Sequence, residues 1–214
     1  MTQDRGLTVY LIRHGETLWN CEGRCQGVTD IPLTEKGYRQ AHAIATALAD
    51  KPLSLILSSP LQRTRETAAV IAASQGLAVE TRTELREWHQ GELEGLTGPE
   101  LLAHHRAYFQ RWLQDPAGAA PPGGETLQVL QAGAWPVIES LRAHALHGPV
   151  AVVSHTMTIG TIICAALGLD LAHIHRLRLD IASRSTLAFV PFGLFSAWRL
   201  TGLNDCHHLT KDLR

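Results

Sequence analysis

Short aliphatic runs alternate along this chain with stretches whose apolar residues recur every three or four positions, and the two periods assign the elements. Leu7 to Arg13 (LTVYLIR) is a β-branched and aliphatic run that ends near a glycine, which predicts a strand feeding a loop. Glycines, an aspartate and a proline between Asn20 and Pro32 predict a loop, and Thr34 then offers an N-cap. Ala41, Ile44, Ala45 and Leu48 fall at i, i+3, i+4 and i+7 with Arg39, Gln40 and Thr46 off that face, so an amphipathic helix is predicted to about Asp50. Leu53 to Leu57 is the next apolar run. Ser59-Pro60-Leu61-Gln62 follows it, with Ser as N-cap, Pro at the first helical position and Gln at N3, the pattern of a capping box. Leu77 to Thr81 predicts a third strand, and Thr97 to Glu100 a second capping box opening a helix to about Leu113. Asp115 to Gly124 (DPAGAAPPGG) has the composition of a linker, and helix resumes from Glu125. Val150 to Val153 predicts a strand, Thr158 to Leu167 a buried helix, and Thr186 to Val190 with Ser196 to Leu200 a closing strand pair around Pro191-Phe192-Gly193.

Strands alternating with helices predict an α/β fold: a three-layer α/β/α sandwich whose sheet is mostly parallel with one antiparallel edge strand. The 214 residues fit a single domain over 1–214, since domains usually hold about 100 to 200 residues. Residues 97–124 read as a helical cap-like insertion. Val150 to Leu169 is apolar enough to suggest a bilayer span of roughly 20 residues. Ser154, His155, Thr156, Thr158, Gly160 and Thr161 interrupt it, so a buried strand followed by a buried helix accounts for it better. A formal net charge of -1 and a pI of about 6.9 provide no global positive field, which argues against nucleic acid and anionic membrane as partners. Four cysteines and no targeting pattern at the N-terminus predict a cytoplasmic protein with free thiols. An exposed edge strand leaves a homodimer open.

In open α/β sheets, ligands bind beyond the carboxyl ends of the strands. There the sequence places Arg13-His14-Gly15, Ser58-Ser59-Pro60 leading to Arg63 at a helix start, and Ser154-His155-Thr156. Arginine presents a rigid fork matched to phosphate, and a helix N-terminus adds backbone donors. Clustered cations neutralise a phosphomonoester of about -1.5 to -2 charge without a metal. A neutral imidazole accepts a phosphoryl group on one nitrogen while its other N–H is held, so His14 and His155 are both candidate nucleophiles. Glu84, Glu87, Glu92 and Glu94 are candidate proton donors that spacing alone does not separate.

Leu11-Ile12-Arg13-His14-Gly15-Glu16-Thr17 with Asn20 resembles the signature of the histidine phosphatase superfamily, which has the phosphoglycerate mutase-like fold. The resemblance continues through Glu22-Gly23-Arg24, Gln26-Gly27, Asp30, Pro32-Leu33-Thr34, Gly37 and Gln40-Ala41. It then takes in Ser58 to Thr64, Thr67-Ala68, Leu85-Arg86-Glu87, Gly91, Glu94-Gly95, Pro122 to Glu125 and Ser154-His155, in the family's order over most of the chain. It implies His14 as the nucleophile that becomes phosphohistidine, Arg13, Arg63 and His155 around the phosphoryl oxygens, Asn20 and Gln26 completing that pocket, and Glu87 as proton donor. It further implies a phosphatase of small phosphorylated metabolites that needs no cofactor and no metal. Asn204 to Leu209 resembles the tail of the broad-specificity and phosphoserine phosphatase branches, which makes His208 a candidate substrate contact. Many members carry Gly where this chain has Thr156, so Thr156 is a candidate for setting substrate range. Trp88 and His89 beside the proton donor are others.

Rival readings are a phosphoglycerate mutase using the same intermediate, a non-catalytic phosphate-binding domain and a zinc hydrolase. The 94–124 stretch is short and rich in Ala, Pro and Gly, which favours water as phosphoryl acceptor over a retained bisphosphate. Cys21 and Cys25 are three residues apart with no second cysteine pair, so they read as loop thiols. The pairs His104-His105, His173-x-His175 and His207-His208 read as solvated residues.

Overall fold

The computed structural model describes residues 6–144, 146–192 and 195–214. Its elements in chain order are β1 (Leu7–Arg13), α1 (Leu18–Cys21), α2 (Glu35–Ala47), β2 (Leu55–Ser58), α3 (Gln62–Gln75), β3 (Val79–Thr81), α4 (Gly98–His104), α5 (Arg106–Gln114), α6 (Leu127–Ser140), β4 (Val150–Ser154), α7 (Thr156–Leu167), β5 (Arg184–Phe192) and β6 (Phe195–Asp205). The six strands form one sheet in the order β3-β2-β4-β1-β5-β6. β3, β2, β4 and β1 are mutually parallel, and antiparallel pairing is confined to the β5–β6 edge, where β5 runs against β1 and β6 against β5.

Successive side chains of a strand point to opposite faces. Val9 and Leu11 of β1 with Val150 and Val152 of β4 therefore pack against α6 and α7, through Ala134, Ile138, Ile159, Ile162 and Ile163. Tyr10, Ile12, Ala151 and Val153 pack on the other face against Ile44, Ala45 and Leu48 and against Ala68, Ile71 and Ala72 of α3, where the C-terminal Leu209 and Leu213 close the layer. These two cores make the three layers. A third cluster, with Trp88, Leu93, Tyr108, Leu127, Leu130, Leu171 and Ile174, holds α5 over the carboxyl end of the sheet.

Several boundaries differ from the sequence expectation. α3 starts at Gln62 with Leu61 in the cap position and no side-chain cap bond, because the Ser59 hydroxyl is engaged elsewhere. β3 is shortened to Val79–Thr81 because Gly76 ends α3 in the left-handed conformation and the Leu77 N–H still bonds back to Ala72. The Thr97/Glu100 capping box forms, but the helix it opens breaks at His105 into α4 and α5. The linker-like 115–124 segment folds back on the body: the Pro122 carbonyl accepts from Glu92 N–H at 2.9 Å, and Gly91, at φ +53°, leaves the space this approach needs. Thr126 caps α6, so helix resumes at Leu127 rather than Glu125, and α7 begins at Thr156 rather than Thr158. Gly193 of the closing turn lies outside the described residues. Among the described residues no helix is long and apolar enough to cross a membrane, so 150–169 is a strand and a helix.

Candidate active site

Strand pairing brings the site together. Arg13 of β1 lies opposite Ser154 of β4, and His14 N–H donates to the Ser154 carbonyl at 3.1 Å, so residues 14 and 155 leave adjacent strand ends side by side. On the other side of β4, Ser58 pairs with Val153 and Ser59 N–H donates to the Val153 carbonyl at 3.0 Å, which lands the start of α3 beside them. The loop after β1 is pinned by backbone approach: a Cβ on Gly15 would stand 2.5 Å from the Gly37 carbonyl oxygen, so only glycine admits α2 there. Gln40 then accepts from Glu16 N–H at 2.8 Å and donates to the Leu213 carbonyl at 2.7 Å, tying that loop to the C-terminus.

His14 is buried, and its Nδ1 lies 2.7 Å from the carbonyl oxygen of Gly15. A carbonyl only accepts, so Nδ1 carries the hydrogen and the neutral ring keeps its lone pair on Nε2. Burial, followed by the Arg63 and Arg13 charges, holds its pKa well below the ordinary imidazole value. A cavity of about 170 Å³ opens beside it, lined by Arg13, His14, Asn20, Arg24, Gln26, Glu87, Gln90, Thr156 and Met157. Two buried side-chain donors among these lack a protein partner, Arg13 Nε and Gln26 Nε2. Unpaired buried donors are uncommon, and they fit a ligand that brings acceptor oxygens.

Arg13 is anchored by donation from Nη1 to the Leu179 carbonyl at 2.7 Å. Asn20 sits at N3 of α1, where it makes a reciprocal capping box with Thr17. The Thr17 hydroxyl lies 3.0 Å from both Asn20 Oδ1 and Gln26 Oε1, fixing the two amides relative to each other. Glu87 is 5% exposed. Its Oε1 accepts from Trp88 N–H at 2.8 Å and Thr158 N–H at 3.3 Å, and its Oε2 from Met157 N–H at 3.2 Å. The carboxyl therefore sits on the N-terminal turn of α7. Burial pushes its pKa up against those hydrogen bonds and the two arginine charges. The segment carrying it is set by Ser154 Oγ donating to the Leu85 carbonyl, Thr158 Oγ1 to the Arg86 carbonyl, and a bidentate Arg86–Glu125 pair at 2.5 and 2.8 Å.

Arg63 and His155 are fully buried and stand one layer behind the cavity wall rather than in its lining. Arg63 donates from Nη2 to the Gly27 carbonyl at 2.7 Å, from Nη1 to the Thr29 carbonyl at 2.9 Å, and from Nε to His155 Nδ1 at 3.2 Å. Desolvation pulls its pKa down to about 10, so it stays charged at neutral pH. The His14 and His155 rings meet edge to face with centroids 5.2 Å apart. Burial, then the Arg63 charge, keeps His155 neutral as well.

His208 is not brought to the cavity. Its Nε2 donates to the Ala182 carbonyl at 2.9 Å, and Ala182 N–H in turn holds the His14 carbonyl, so the tail braces the catalytic loop from behind instead of facing substrate. Geometry also separates the glutamates. Glu84 and Glu92 are exposed. Glu94 is raised by burial but held below the usual carboxylate range by bonds from Thr29, Val28 and Gln90, and it organises the 27–29 loop, whose Gly27 and Thr29 carbonyls hold Arg63. Cys25 is a free loop thiol, as expected, but unlike the exposed Cys21 it is half-buried. It packs inward and bonds Gln90, and burial pushes it up to about 11. Arg24, Gln90 and Met157 also line the cavity; Arg24 lies in a motif that the resemblance covers but was given no site role, and Gln90 and Met157 lie outside the matched motifs. The matched motif around Arg24, and the position of Gln90 beside the matched Gly91, are the signals that could have marked them.

A family model described as "Histidine phosphatase superfamily (branch 1)" matches residues 9–205. A probable phosphoglycerate mutase GpmB of Yersinia pestis (strain Pestoides F) is 36% identical over 205 residues, 95% of each chain. Among solved structures, a mycobacterial glucosyl-3-phosphoglycerate phosphatase matches with TM-score 0.84 and 32% identity, covering 94% of this chain and 99% of that one. A putative alpha-ribazole-5'-P phosphatase from Escherichia coli K-12 matches with TM-score 0.82 and 28% identity, covering 94% and 97%.

Proposed function

The chain belongs to the histidine phosphatase superfamily, and we propose that it hydrolyses small phosphomonoesters through a phosphohistidine on His14, with Glu87 as general acid and base. The observation that carries this reading is the orientation of His14. Its Nε2 lone pair is left free by the Nδ1–Gly15 bond, in a cavity that also holds the unpaired donors of Arg13 and Gln26.

In the first half-reaction His14 Nε2 attacks phosphorus and the P–O bond to the leaving group breaks. Glu87 delivers its proton to the departing oxygen, a contribution typically of about 10²- to 10⁴-fold. In the second half-reaction Glu87 takes a proton from water, the water oxygen attacks phosphorus, and the P–N bond breaks to release phosphate and restore His14. Arg13, Asn20 and Gln26 hold phosphoryl oxygens from the cavity wall. Arg63 and His155 supply charge and fix His14 from behind, and Thr156 at the first turn of α7 bounds the space left for the alcohol. Small phosphorylated metabolites suit a cavity of this size. We place the protein in the cytoplasm, a reading supported by four free thiols.

The name of the Yersinia relative keeps mutase chemistry as a second reading, with a substrate hydroxyl in place of water. No residue of 97–124 lines the cavity, so the insertion provides no cation there to retain a bisphosphate, which supports water as acceptor. Incubation with a phosphomonoester labelled on phosphorus, quenched in alkaline denaturant, tests the proposal. Base-stable, acid-labile label on His14, lost in His14→Ala and unaffected by EDTA, is expected, and label elsewhere overturns it. Conversion of 3-phosphoglycerate to 2-phosphoglycerate without phosphate release would establish the mutase reading instead.

A further inference from the structure

Ser59 stands in a sequence context that spells a helix cap, yet it caps nothing by its side chain toward α3 beyond a 3.3 Å contact with Leu61 N–H. It is fully buried, and its Oγ lies 2.9 Å from His155 Nε2. The other nitrogen of that ring, Nδ1, lies 3.2 Å from Arg63 Nε. An arginine Nε–H only donates, so Nδ1 must hold a lone pair, and the neutral ring must then carry its hydrogen on Nε2 and donate it to Ser59. Both nitrogens of His155 are thus committed inside the protein.

From this we infer that Ser59 is a positioning residue of the phosphoryl site: by accepting the Nε2 hydrogen it holds the His155 ring in the orientation in which Nδ1, kept bare by the Arg63 Nε–H, holds the guanidinium in place. The inference rests on the proposed function for its catalytic consequence, but its structural content, a tautomer, is independent of any activity. The backbone makes the arrangement rigid, because Ser59 N–H is bonded to the Val153 carbonyl and β2 and β4 are paired up to Ser58 and Val153. Without the hydroxyl the Nε2 hydrogen faces no acceptor. The buried ring then gains only by turning to bring that hydrogen to another acceptor, and the turn takes Nδ1 away from Arg63 Nε, which had kept it bare. Arg63 is held at its other end by two carbonyls, so the loss frees the Nε end that faces the two histidines.

Long-range proton–nitrogen NMR on the full, ¹⁵N-labelled chain reads the tautomer directly, with the His155 ring assigned by its absence in His155→Gln. The wild type is expected to show a protonated Nε2 and a bare Nδ1. Ser59→Ala is expected to lose that pattern, to lower kcat/KM for p-nitrophenyl phosphate at least tenfold and to weaken binding of inorganic phosphate by a similar factor. Ser59→Thr, which keeps the hydroxyl, is expected to restore both the pattern and the rate to within threefold. Ser59→Cys, whose thiol accepts weakly, is expected to fall between and carries the test if the alanine variant does not fold. A wild-type ring protonated on Nδ1, or a folded Ser59→Ala or Ser59→Cys with tautomer and phosphate affinity unchanged, overturns the inference. A wild type with the expected tautomer and phosphate affinity but no phosphatase activity overturns the proposed function and leaves the positioning role standing.

Discussion

Replacing Glu87 by glutamine separates its chemistry from its place in the fold. The carboxyl receives three backbone N–H groups, from Trp88, Met157 and Thr158. An amide keeps one oxygen for Trp88 and Thr158, but its NH₂ faces Met157 N–H, donor against donor. That lost acceptor costs about 1–2 kcal/mol. Working the other way, the raised pKa of Glu87 means that burial disfavours its charged form, and the amide carries no charge to bury. The two effects oppose, so for a chain of this length Tm should move by no more than about 4 °C. Activity should respond very differently. With an alkyl phosphate the leaving alkoxide needs a proton, and kcat/KM, which reports transfer to His14, should fall by about 10²- to 10⁴-fold. With p-nitrophenyl phosphate the leaving group is a far weaker base, and kcat/KM should fall less than about tenfold. Water activation is lost for both substrates, so the variant should release a burst of nitrophenol equal to one per active site and then stall as phospho-His14. Steady-state rates on a panel of alkyl and aryl phosphates, with rapid-quench measurement of the burst, supply the comparison. Equal losses across the panel would refute Glu87 as the general acid.

The buried histidines make stability depend on pH. His14 and His155 have folded pKa values well below 6.5, so below pH 6.5 the unfolded chain binds protons that the folded chain does not, and stability falls as pH falls. Each group contributes up to about 1.4 kcal/mol per pH unit until its folded pKa is reached. Glu87 opposes this above about pH 4.5. Denaturant midpoints of wild type and His14→Asn should therefore diverge below pH 6.5, and parallel curves would contradict a neutral, buried His14. Thr156→Gly opens the first turn of α7 into the cavity and should raise kcat/KM for bulkier esters about tenfold relative to small ones; an unchanged panel argues against its role in substrate range. Glu94→Gln releases the 27–29 loop, whose Gly27 and Thr29 carbonyls hold Arg63, and should raise KM about tenfold with a smaller change in kcat, as initial rates will show. Gly15→Ala drives a methyl into the Gly37 backbone, an overpacking of about 1–3 kcal/mol that a lowered Tm will register.

Periodicity made the layers legible, because each strand and helix buries a face and the apolar spacing records which one. The signature residues were legible as a set, and the strand-end rule placed Arg13, Arg63 and His155 at one rim. Boundaries failed where side chains serve tertiary partners. Ser59 reads as a cap because local spacing contains no trace of His155, 96 residues away. The 115–124 segment reads as a linker because its Pro and Gly content records freedom, whereas its backbone is held across space by residues 89–92. His208 sits in a tail that resembles a substrate-closing segment, and only the fold shows its ring turned onto Ala182. Depth was also hidden: sequence gives Arg63 and Arg13 equal standing, but one is inside and the other at the wall.

One physical cause sets all three protonation states that the chemistry requires. Removing a group from water disfavours whichever form is charged, so the outcome depends on where the group starts. An imidazole begins near 6.5 and, once buried beside two guanidiniums, is neutral at pH 7 and therefore nucleophilic. A guanidinium begins so high that the same burial takes Arg63 only to about 10, and it remains a full positive charge. A carboxyl is moved in the opposite direction, toward holding a proton, which is the form an acid needs before the leaving group departs. The resting site thus contains buried cations facing neutral imidazoles and a carboxyl that screens them incompletely. A phosphoryl dianion entering the cavity completes that charge balance, while water offers only dipoles. Selectivity for phosphomonoesters follows from the same burial that prepares His14, so a substitution admitting water around Arg63 should weaken phosphate binding and nucleophilicity together.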